Sequence, residues 1–320
     1  MSLLRPELVE ALSHVRTSGK AVAKELLGPA AWGWLRDRSG RALTRSPLSS
    51  LDAVMKDAQL EFSKSEEAGR QFLSRFEFES DPPGGDPFSP AFRDAQLERY
   101  ARVSGRARYT IDGEFSGITA ESIRARPYPF STGSAKVVGD YFSLLGFVLR
   151  HLDTGPGRSL VEFGPGWGHT TRALVALGVD VTAVEVDPAF CGALSDVRAT
   201  VVRSDMLSFQ PAKTFDSALF FESFHHCADP VAMIGRVREL LAPGGVAYFA
   251  AEPITDDFAE PWGLRLDGLS AWSIRKHGWL ELGFQTAFFH ELLARNGFDV
   301  TRHSDPNVSD ARLIVATVKG

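Results

Sequence analysis

The stretch that most constrains the fold is a short apolar run that leads directly into a glycine-rich turn. Residues 159–170 read SLVEFGPGWGHT, with glycines at positions 164, 166 and 168, and a helix-like segment follows over residues 170–177. The pattern predicts a buried strand, a tight turn and the start of a helix. Because glycine has no Cβ, the backbone of such a turn can approach a ligand closely, and the helix start offers the ligand free N–H groups. We therefore expect a nucleotide-like cofactor here.

Strand-like and helix-like segments alternate after this turn. Strands are predicted at residues 181–186, 200–203, 215–221 and 245–251, and helices at 188–197, 230–241 and 286–296. The strands are almost continuously apolar, which is typical of parallel strands buried on both faces. The last two strands, 298–302 and 312–318, are joined by a short loop without a helix, so we expect them to pair antiparallel. The predicted fold is α/β, a doubly wound, seven-stranded, mostly parallel sheet whose last strand is antiparallel.

Composition and charge argue against several classes of protein. The net charge is −5 and no basic run is present, which disfavours a nucleic-acid partner. Cys191 and Cys227 are the only cysteines, too few for a disulfide scaffold or a cysteine metal site, and free thiols suit the cytoplasm. No stretch approaches the ~20 apolar residues of a membrane span, and the charged N-terminus is unlike a signal peptide. We expect a cytoplasmic protein whose oligomeric state the sequence leaves open.

The first 125 residues are predicted to form a mainly helical N-terminal extension of unknown role. Lys and Arg outnumber Asp and Glu over residues 1–45, next to a short apolar patch at 30–35. This pattern fits peripheral contact with a membrane or a partner, or a helical cap on the main domain, which we favour. A Pro- and Gly-rich tract at 79–87 predicts an exposed loop. The second predicted domain, 126–320, opens with a turn at 127–134 and a helix at 135–151.

Carboxylates follow the predicted strands where a cofactor would cross the strand ends. Glu185 ends the second strand, 23 residues after Glu162, and a carboxylate there can accept hydrogen bonds from both ribose hydroxyls. Asp205 follows the third strand, where an adenine amino group would lie. Asp187 competes with Glu185 for the ribose, but its position just before Pro188 favours capping the next helix. The alternative for each of them is a solvated turn carboxylate.

The spacing of the glycines discriminates between cofactors. A dinucleotide fingerprint places its third glycine five residues after the first, whereas Gly168 comes four residues after Gly164 and is followed by His169. This turn is a poor cradle for a pyrophosphate. It suits a cofactor with a smaller polar end, such as an amino acid.

Taken together, these segments resemble the class I S-adenosylmethionine-dependent methyltransferases over about residues 135–320. Five segments carry the resemblance: VEFGPGWG at 161–168, Glu185, SDM at 204–206, FDSALFF at 215–221 and LAPGG at 241–245. It implies S-adenosyl-L-methionine as the cofactor, with Glu162 and the glycine turn at its methionine end. The other cofactor-binding residues that it suggests are Gly164, Pro165, Gly166, Gly168, Asp205, Met206 and Phe221. Tyr128, Thr132 and Gly133 are a further hypothesis, as a cover from the N-terminal side.

The residues just past the fourth strand lie where the resembling family places its methyl acceptor. The sulfonium methyl is already activated, so alignment and exclusion of water can achieve much of the catalysis, but a sugar hydroxyl would also need a base. Glu222, His225 and His226 are the candidates, and His226 could equally brace the loop. The sequence here is not the Asn/Asp-Pro-Pro-Tyr type that marks many methylators of amino groups on bases and proteins, which disfavours N-methylation of nucleic acids.

Residues 253–284 are predicted to form a lid over the acceptor. The segment holds three of the six tryptophans, which suit sugar rings or aromatic metabolites or, alternatively, a packed core. His277 is a further candidate base if the lid folds inward. Asp256 and Asp257 could bind a divalent metal, but adjacent loop carboxylates are usually solvated, so we expect no metal.

The predicted function is O-methylation of a glycan or small metabolite by an S-adenosylmethionine-dependent methyltransferase. One alternative is an NAD-dependent oxidoreductase, which the glycine spacing disfavours. The other is a non-catalytic module that keeps the fold and the cofactor but only scaffolds partners.

Overall fold

The computed structural model describes residues 43–320. The predicted contact surface in residues 1–45 therefore lies almost entirely outside the described residues. The helices are α1 (Leu51–Lys64), α2 (Glu66–Leu73), α3 (Pro90–Ser104), α4 (Ala120–Ala125), α5 (Ala135–His151), α6 (His169–Ala176), α7 (Pro188–Ala193), α8 (Pro230–Leu240), α9 (Gly268–Lys276) and α10 (Thr286–Arg295). The strands are β1 (Thr44–Pro47), β2 (Phe76–Glu79), β3 (Ser159–Phe163), β4 (Asp180–Glu185), β5 (Thr200–Arg203), β6 (Phe215–Phe221), β7 (Leu241–Ala250), β8 (Ile254–Thr255), β9 (Trp262–Leu264), β10 (Leu282–Gln285), β11 (Phe298–Ser304) and β12 (Arg312–Val318).

A seven-stranded sheet forms the centre of the larger unit. Its order is β11-β12-β7-β6-β3-β4-β5. Strands β3 to β7 pair in parallel, whereas β12 pairs antiparallel with both β7 and β11. The predicted α/β fold, including the antiparallel last strand, is confirmed. The strand order reverses at β3, which has β4 on one side and β6 on the other. Such a reversal leaves a crevice at the carboxyl ends of the strands, where open α/β sheets bind ligands.

Aromatic rings hold the middle of this sheet together and fix the loop that follows β6. Phe163, Phe220 and Phe249 face one another in register on β3, β6 and β7, with ring centroids 4.8 and 5.1 Å apart. Phe224, in the loop after β6, is fully buried and packs edge-on against Phe220 and Phe249. Burial of such rings stabilises the fold by several kcal/mol each. Phe224, in the middle of this loop, thus anchors the loop to the hydrophobic core.

Two element boundaries differ from the predicted ones for local reasons. The helix predicted at 188–197 ends as α7 at Ala193 and is followed by turns. The strand predicted at 245–251 begins four residues earlier, as β7 at Leu241, because Leu241 pairs with Phe215 across an irregularity in the ladder.

The described residues divide into two compact units. The first comprises residues 43–81 and 266–272, with helices α1 and α2 and the parallel pair β1–β2. The second comprises residues 82–265 and 273–320 and contains the seven-stranded sheet. Residues 82–125, which the sequence assigns to the N-terminal extension, thus lie in the unit of the sheet. None of the helices in residues 43–320 has the length and apolar character that crossing a bilayer requires.

Candidate cofactor and acceptor site

A cavity of about 400 Å³ lies at the carboxyl ends of the central strands. The turns and loops after β3, β4, β5 and β6 form its floor. The cavity thus lies in the crevice that the reversal of strand order predicts. Residues from two other regions complete the lining: the segment 109–118 and Trp279. Lining side chains include both carboxylates and aromatic rings, the mixture typical of a small-molecule site.

The three glycines after β3 all adopt the left-handed backbone conformation that favours glycine. Their φ angles are 65°, 51° and 76° at Gly164, Gly166 and Gly168. A Cβ on Gly164 or Gly168 would collide with the side chains of Ser223 and Leu194, at 2.7 and 2.3 Å. A Cβ on Gly166 would meet nothing within 4 Å, and Gly166 lines the cavity. Gly164 and Gly168 therefore allow neighbouring side chains to pack closely against the turn. Gly166 leaves space beside the turn that a ligand can occupy.

Alanine substitutions should separate these two roles. We expect Gly166→Ala to lower the free energy of unfolding by about 1–2 kcal/mol, the cost of the left-handed backbone, and also to weaken cofactor binding. Gly168→Ala should lower the unfolding free energy by about 1–3 kcal/mol more, because its Cβ overpacks against buried Leu194. Urea denaturation of both variants checks the order. Equal losses would contradict the assignment.

Glu185 is a buried carboxylate at the end of β4 and lines the cavity. Its oxygens accept hydrogen bonds from the backbone N–H groups of Gly166 at 3.2 Å, Val186 at 2.8 Å and Asp187 at 2.9 Å. Burial raises the pKa of Glu185, while these amides act in the opposite direction. The side chain is thereby fixed beside the glycine turn. A carboxylate in that place has the geometry that a ribose ligand requires.

Glu162 lies on β3 beneath the glycine turn and is buried. One of its oxygens accepts a 2.6 Å hydrogen bond from the Thr171 hydroxyl. The pKa of Glu162 is raised to about 7. Burial is the main cause, the Thr171 hydrogen bond acts in the opposite direction, and the charge of Glu185 adds to the rise. Glu162 is outside the set of cavity-lining residues. A cation placed near this carboxylate would favour its anionic form.

The loop after β5 places Asp205 and Met206 at the cavity. The Asp205 carboxylate accepts hydrogen bonds from the N–H groups of Leu207 and Ser208, both at 3.0 Å. Asp187 caps α7 as expected, accepting from the Ala189 N–H at 2.7 Å. It also accepts from the backbone and hydroxyl of Ser116, which ties the segment 109–118 to the sheet.

Glu222 follows the last residue of β6 and lines the cavity. Its φ of 52° is unusual for a residue other than glycine, and such strain is concentrated at functional sites. Glu222 is exposed at the cavity, and its pKa is raised by partial desolvation and by the charges of Glu252, Asp310 and Glu281, while the charge of His226 acts in the opposite direction. Glu222 is thus a carboxylate that faces the cavity and can accept a proton near neutral pH.

His225 is buried, and Glu252 holds it in place. Glu252 lies two residues after the end of β7. The Nδ1 of His225 lies 2.8 Å from a Glu252 oxygen. The same carboxylate accepts hydrogen bonds from the backbone N–H groups of Ser223, Phe224 and His225. Burial alone would raise the pKa of Glu252, but His225 and these amides outweigh it and the pKa is lowered. Glu252 organises the loop after β6.

His226 lines the cavity, and its Nδ1 lies 3.2 Å from a carboxylate oxygen of Glu114. Burial by itself would lower the pKa of His226, but Glu114, with Glu281 and Glu252 farther away, outweighs burial and raises the pKa to about 9. The other Glu114 oxygen accepts from the Leu280 N–H at 2.9 Å. Glu114 therefore joins the segment 109–118, the loop after β6 and the segment of Trp279.

Part of the predicted set lies away from the cavity lining. His277 stacks on Trp279, with ring centroids 4.6 Å apart, and burial lowers its pKa. Tyr128, Thr132 and Gly133 form the turn before α5, where the Tyr128 carbonyl lies 2.6 Å from His169 Nε2. The remaining predicted residues outside the lining are Glu162, Pro165, Gly168, Phe221 and His225. Those that the structure brings together at the cavity are Gly164, Gly166, Glu185, Asp205, Met206, Glu222 and His226.

The three tryptophans of residues 253–284 have different surroundings. Trp262 is fully buried, packs against Phe92 and donates a 2.8 Å hydrogen bond to the Pro87 carbonyl. Trp272 stacks on Phe62 within the smaller unit. Trp279 alone among them lines the cavity. Strands β8, β10 and β9 form a small sheet in this region, which the sequence did not predict.

Comparisons with known proteins agree with this architecture. Residues 140–309 match the family model of the methyltransferase domain. The ubiquinone biosynthesis O-methyltransferase of Xanthomonas campestris pv. campestris is 31% identical over 104 residues, which cover 30% of this chain and 43% of the relative. That of Idiomarina loihiensis is 28% identical over 114 residues, which cover 33% and 47%. The chain thus matches less than half the length of these curated relatives.

Among solved structures, the 1,6-didemethyltoxoflavin-N1-methyltransferase of Burkholderia thailandensis has a TM-score of 0.46. It is 20% identical, and the match covers 75% of this chain and 94% of that one. The family model by itself spans more than half of the 320 residues, including the glycine turn and most of the seven-stranded sheet. The chain therefore belongs to the methyltransferase-domain family of class I S-adenosylmethionine-dependent methyltransferases.

Proposed function

We propose that this chain binds S-adenosylmethionine in the cavity and transfers its methyl group to an oxygen atom of a small metabolite. The observation that carries the proposal is the charge of the cavity. Among the described residues that line it are four carboxylates, those of Glu114, Glu185, Asp205 and Glu222, against one basic side chain, His226, and no lysine or arginine. Such a lining favours a ligand with positive charge, and S-adenosylmethionine carries a sulfonium and an ammonium group.

The same charge disfavours an NAD-dependent oxidoreductase. A pyrophosphate needs backbone amides or basic side chains that face it. Here the Gly166 amide is directed to the Glu185 carboxylate, and another carboxylate lies beneath the turn at Glu162. Two phosphates in this place would meet carboxylates of the same sign.

The residues that we assign to the cofactor act by position and charge. Glu185 would accept hydrogen bonds from the ribose hydroxyls, and Glu162 would compensate the ammonium group at the methionine end. Asp205 and Met206, after β5, would border the adenine. The bound cofactor supplies an activated methyl group. The protein then has to place the acceptor in line with it and exclude water, which the aromatic lining at Tyr109 and Trp279 supports.

An oxygen acceptor is favoured by the side chains on the acceptor side of the cavity. A hydroxyl must lose its proton as the methyl group is transferred, and Glu222 is a cavity-lining carboxylate able to accept it. The curated relatives that match part of this chain are ubiquinone biosynthesis O-methyltransferases, which agrees with an oxygen acceptor. A volume of about 400 Å³ has to hold the cofactor as well, so a small metabolite fits better than an extended glycan. The cavity-facing carboxylate also argues against a non-catalytic scaffold.

We infer three further points from the described residues. Trp279 lines the cavity, which supports residues 253–284 as a lid over the acceptor. The domain boundary at residue 125 stays a prediction. Cys191 and Cys227 are free thiols, which supports the cytoplasm as the site of action. The side chains of residues 109–118 at the cavity suggest that this part of the predicted extension helps to select the acceptor.

Replacing Glu185 with alanine should weaken binding of S-adenosylhomocysteine by on the order of 1–3 kcal/mol, roughly 5- to 150-fold, through the lost charged hydrogen bonds. Glu185→Gln keeps one acceptor oxygen for the buried backbone amides. It should therefore lower the free energy of unfolding less than Glu185→Ala does. Asp180→Asn is the matched control, because this exposed residue begins the same strand and pairs with Lys213. Calorimetry measures all three, and unchanged affinity in Glu185→Ala would place the ribose elsewhere.

The transfer itself is tested with S-adenosylmethionine that carries an isotopically labelled methyl group. The purified protein is incubated with a panel of phenols, hydroxylated carboxylic acids and small sugars, and with amines as the contrast. Label on a hydroxyl, absent with Glu185→Ala, supports the proposal. Transfer to nitrogen alone would contradict the oxygen acceptor and leave methyl transfer intact.

A further inference from the structure

Two histidines and a carboxylate meet beside the cavity although they are not neighbours in a single motif. His225 and His226 lie in the loop after β6, and Glu281 lies just before β10. Each offers one donor atom, and the three donor atoms lie within 4.8 Å of one another. His225 Nε2 and a Glu281 oxygen lie 3.9 Å apart, beyond hydrogen-bonding distance.

Each imidazole has a carboxylate beside its Nδ1, hydrogen-bonded in the case of His225. His225 Nδ1 lies 2.8 Å from Glu252, and His226 Nδ1 lies 3.2 Å from Glu114. A proton shared with Glu252 at Nδ1 of His225 leaves its Nε2 as the ring nitrogen with a free lone pair. This arrangement of carboxylate and imidazole is the one that orients histidine ligands of metal ions and makes them more basic.

The charges around the cluster also favour a cation. Glu252 is fully enclosed and Glu281 is buried, while Glu222 faces the cavity nearby. Arg265 is a basic side chain beside these carboxylates, 3.6 Å from Glu281. The carboxylates therefore outnumber the guanidinium, and buried carboxylates are stabilised by protons, cations or metals.

The donor set indicates which cation fits. Two imidazoles and one carboxylate with an open side are the ligands of many catalytic zinc sites, and imidazole suits zinc, iron, copper and nickel, whereas magnesium and calcium prefer oxygen ligands. Ligand atoms about 2.1 Å from one ion at a tetrahedral angle lie roughly 3.4 Å apart. Donor atoms up to 4.8 Å apart would need to close by up to roughly 1.4 Å, which side-chain rotations can supply.

We propose that His225, His226 and Glu281 form a binding site for one divalent transition-metal ion of the zinc class, with Glu252 and Glu114 as the carboxylates that orient the histidines. His226 lines the cavity, so the open side of the ion faces the acceptor end. The ion would bind the acceptor oxygen and ease the loss of its proton. This role rests on the proposed methyl transfer.

The test measures metal binding directly. The purified full chain is freed of metal with a chelator, dialysed and titrated with ZnCl2 by calorimetry and with CoCl2 by visible absorption, with MgCl2 as the contrast. We expect one equivalent of Zn²⁺ or Co²⁺ per chain, a Co²⁺ spectrum typical of a four- or five-coordinate site, and no comparable binding of Mg²⁺.

Variants assign the ion to these residues. His226→Gln and Glu281→Gln should weaken affinity for Zn²⁺ by about 100-fold or more, and Glu114→Gln by about 10- to 100-fold, the usual effect of losing a carboxylate that orients a ligand. His290→Gln is the matched control on α10, with no role in the cluster. Circular dichroism melts confirm that the variants fold.

No Zn²⁺ or Co²⁺ binding by the wild type would overturn the site, as would binding that His226→Gln and Glu281→Gln leave unchanged. Calorimetry of S-adenosylhomocysteine on the same metal-free protein separates this proposal from the proposed function. If the nucleoside binds but no metal does, only the metal site is lost. If the metal binds but the nucleoside does not, only the proposed function is lost.

Discussion

Glutamine in place of Glu222 is expected to lower the rate of methyl transfer about 100- to 10,000-fold, the usual contribution of a positioned base. Glu222 lines the cavity directly after β6 and has the strained backbone of a functional residue. Glutamine has nearly the same size but cannot accept the proton of the hydroxyl. Affinity for S-adenosylhomocysteine should stay about the same, because we assign the cofactor to other side chains. Single-turnover rates with an acceptor that the wild type methylates measure the effect.

The matched control for this variant is Glu239→Gln. Glu239 is an exposed residue of α8 that pairs with Arg236 on the surface, and such pairs contribute little. Its rate should equal that of the wild type. A Glu222→Gln enzyme that keeps most of its rate would show that Glu222 is not the base.

Glutamine in place of Glu162 is expected to stabilise the cofactor-free protein at pH 8 by up to about 3 kcal/mol, and by much less at pH 5. The pKa of Glu162 is raised from 4.5 to about 7 in the folded protein. Below pH 4.5 the carboxyl is neutral in both folded and unfolded chains and costs nothing. As pH rises from about 4.5 to 7, the unfolded chain loses its proton first, so the folded state loses stability. Above pH 7 the full cost is present, and glutamine removes it.

Urea denaturation of both proteins at pH 5, 6.5 and 8 measures this difference. A variant that is less stable than the wild type at pH 8 would contradict the raised pKa. Glu162→Gln should also weaken binding of S-adenosylhomocysteine, because the negative charge beneath the glycine turn, which we assign to the ammonium group, is then lost. A residue that costs stability in the empty protein and repays it on ligand binding is typical of a functional site.

Much of the fold could be predicted because its signals are local. Mostly apolar segments of five and seven residues mark β3 and β6, and the short loop between β11 and β12 fixes their antiparallel pairing. The glycine turn was predictable for the same reason, since each of its three glycines has a positive φ that other residues rarely adopt. Glu185 follows from strand position, because the carboxyl ends of parallel strands meet at one edge.

The acceptor side of the cavity was much less predictable. Tyr109 and Glu114 come from a segment without periodicity, and they reach the cavity through contacts such as those of Ser116 with Asp187. No sequence pattern encodes such long-range contacts. Glu252 had a signal that was missed, since a carboxylate just past β7 lies at the same edge as Glu185. The meeting of Glu281 with His225 depends on the small sheet of β8, β9 and β10, whose strands are too short to recognise in advance.

Titration calorimetry of the wild-type protein with S-adenosylmethionine, S-adenosylhomocysteine and NAD tests the central claim most directly. We expect both methionine-derived nucleosides to bind with one equivalent per chain, and NAD to give no heat of binding. Binding of NAD without either nucleoside would contradict the assignment of the acidic, glycine-lined cavity to S-adenosylmethionine.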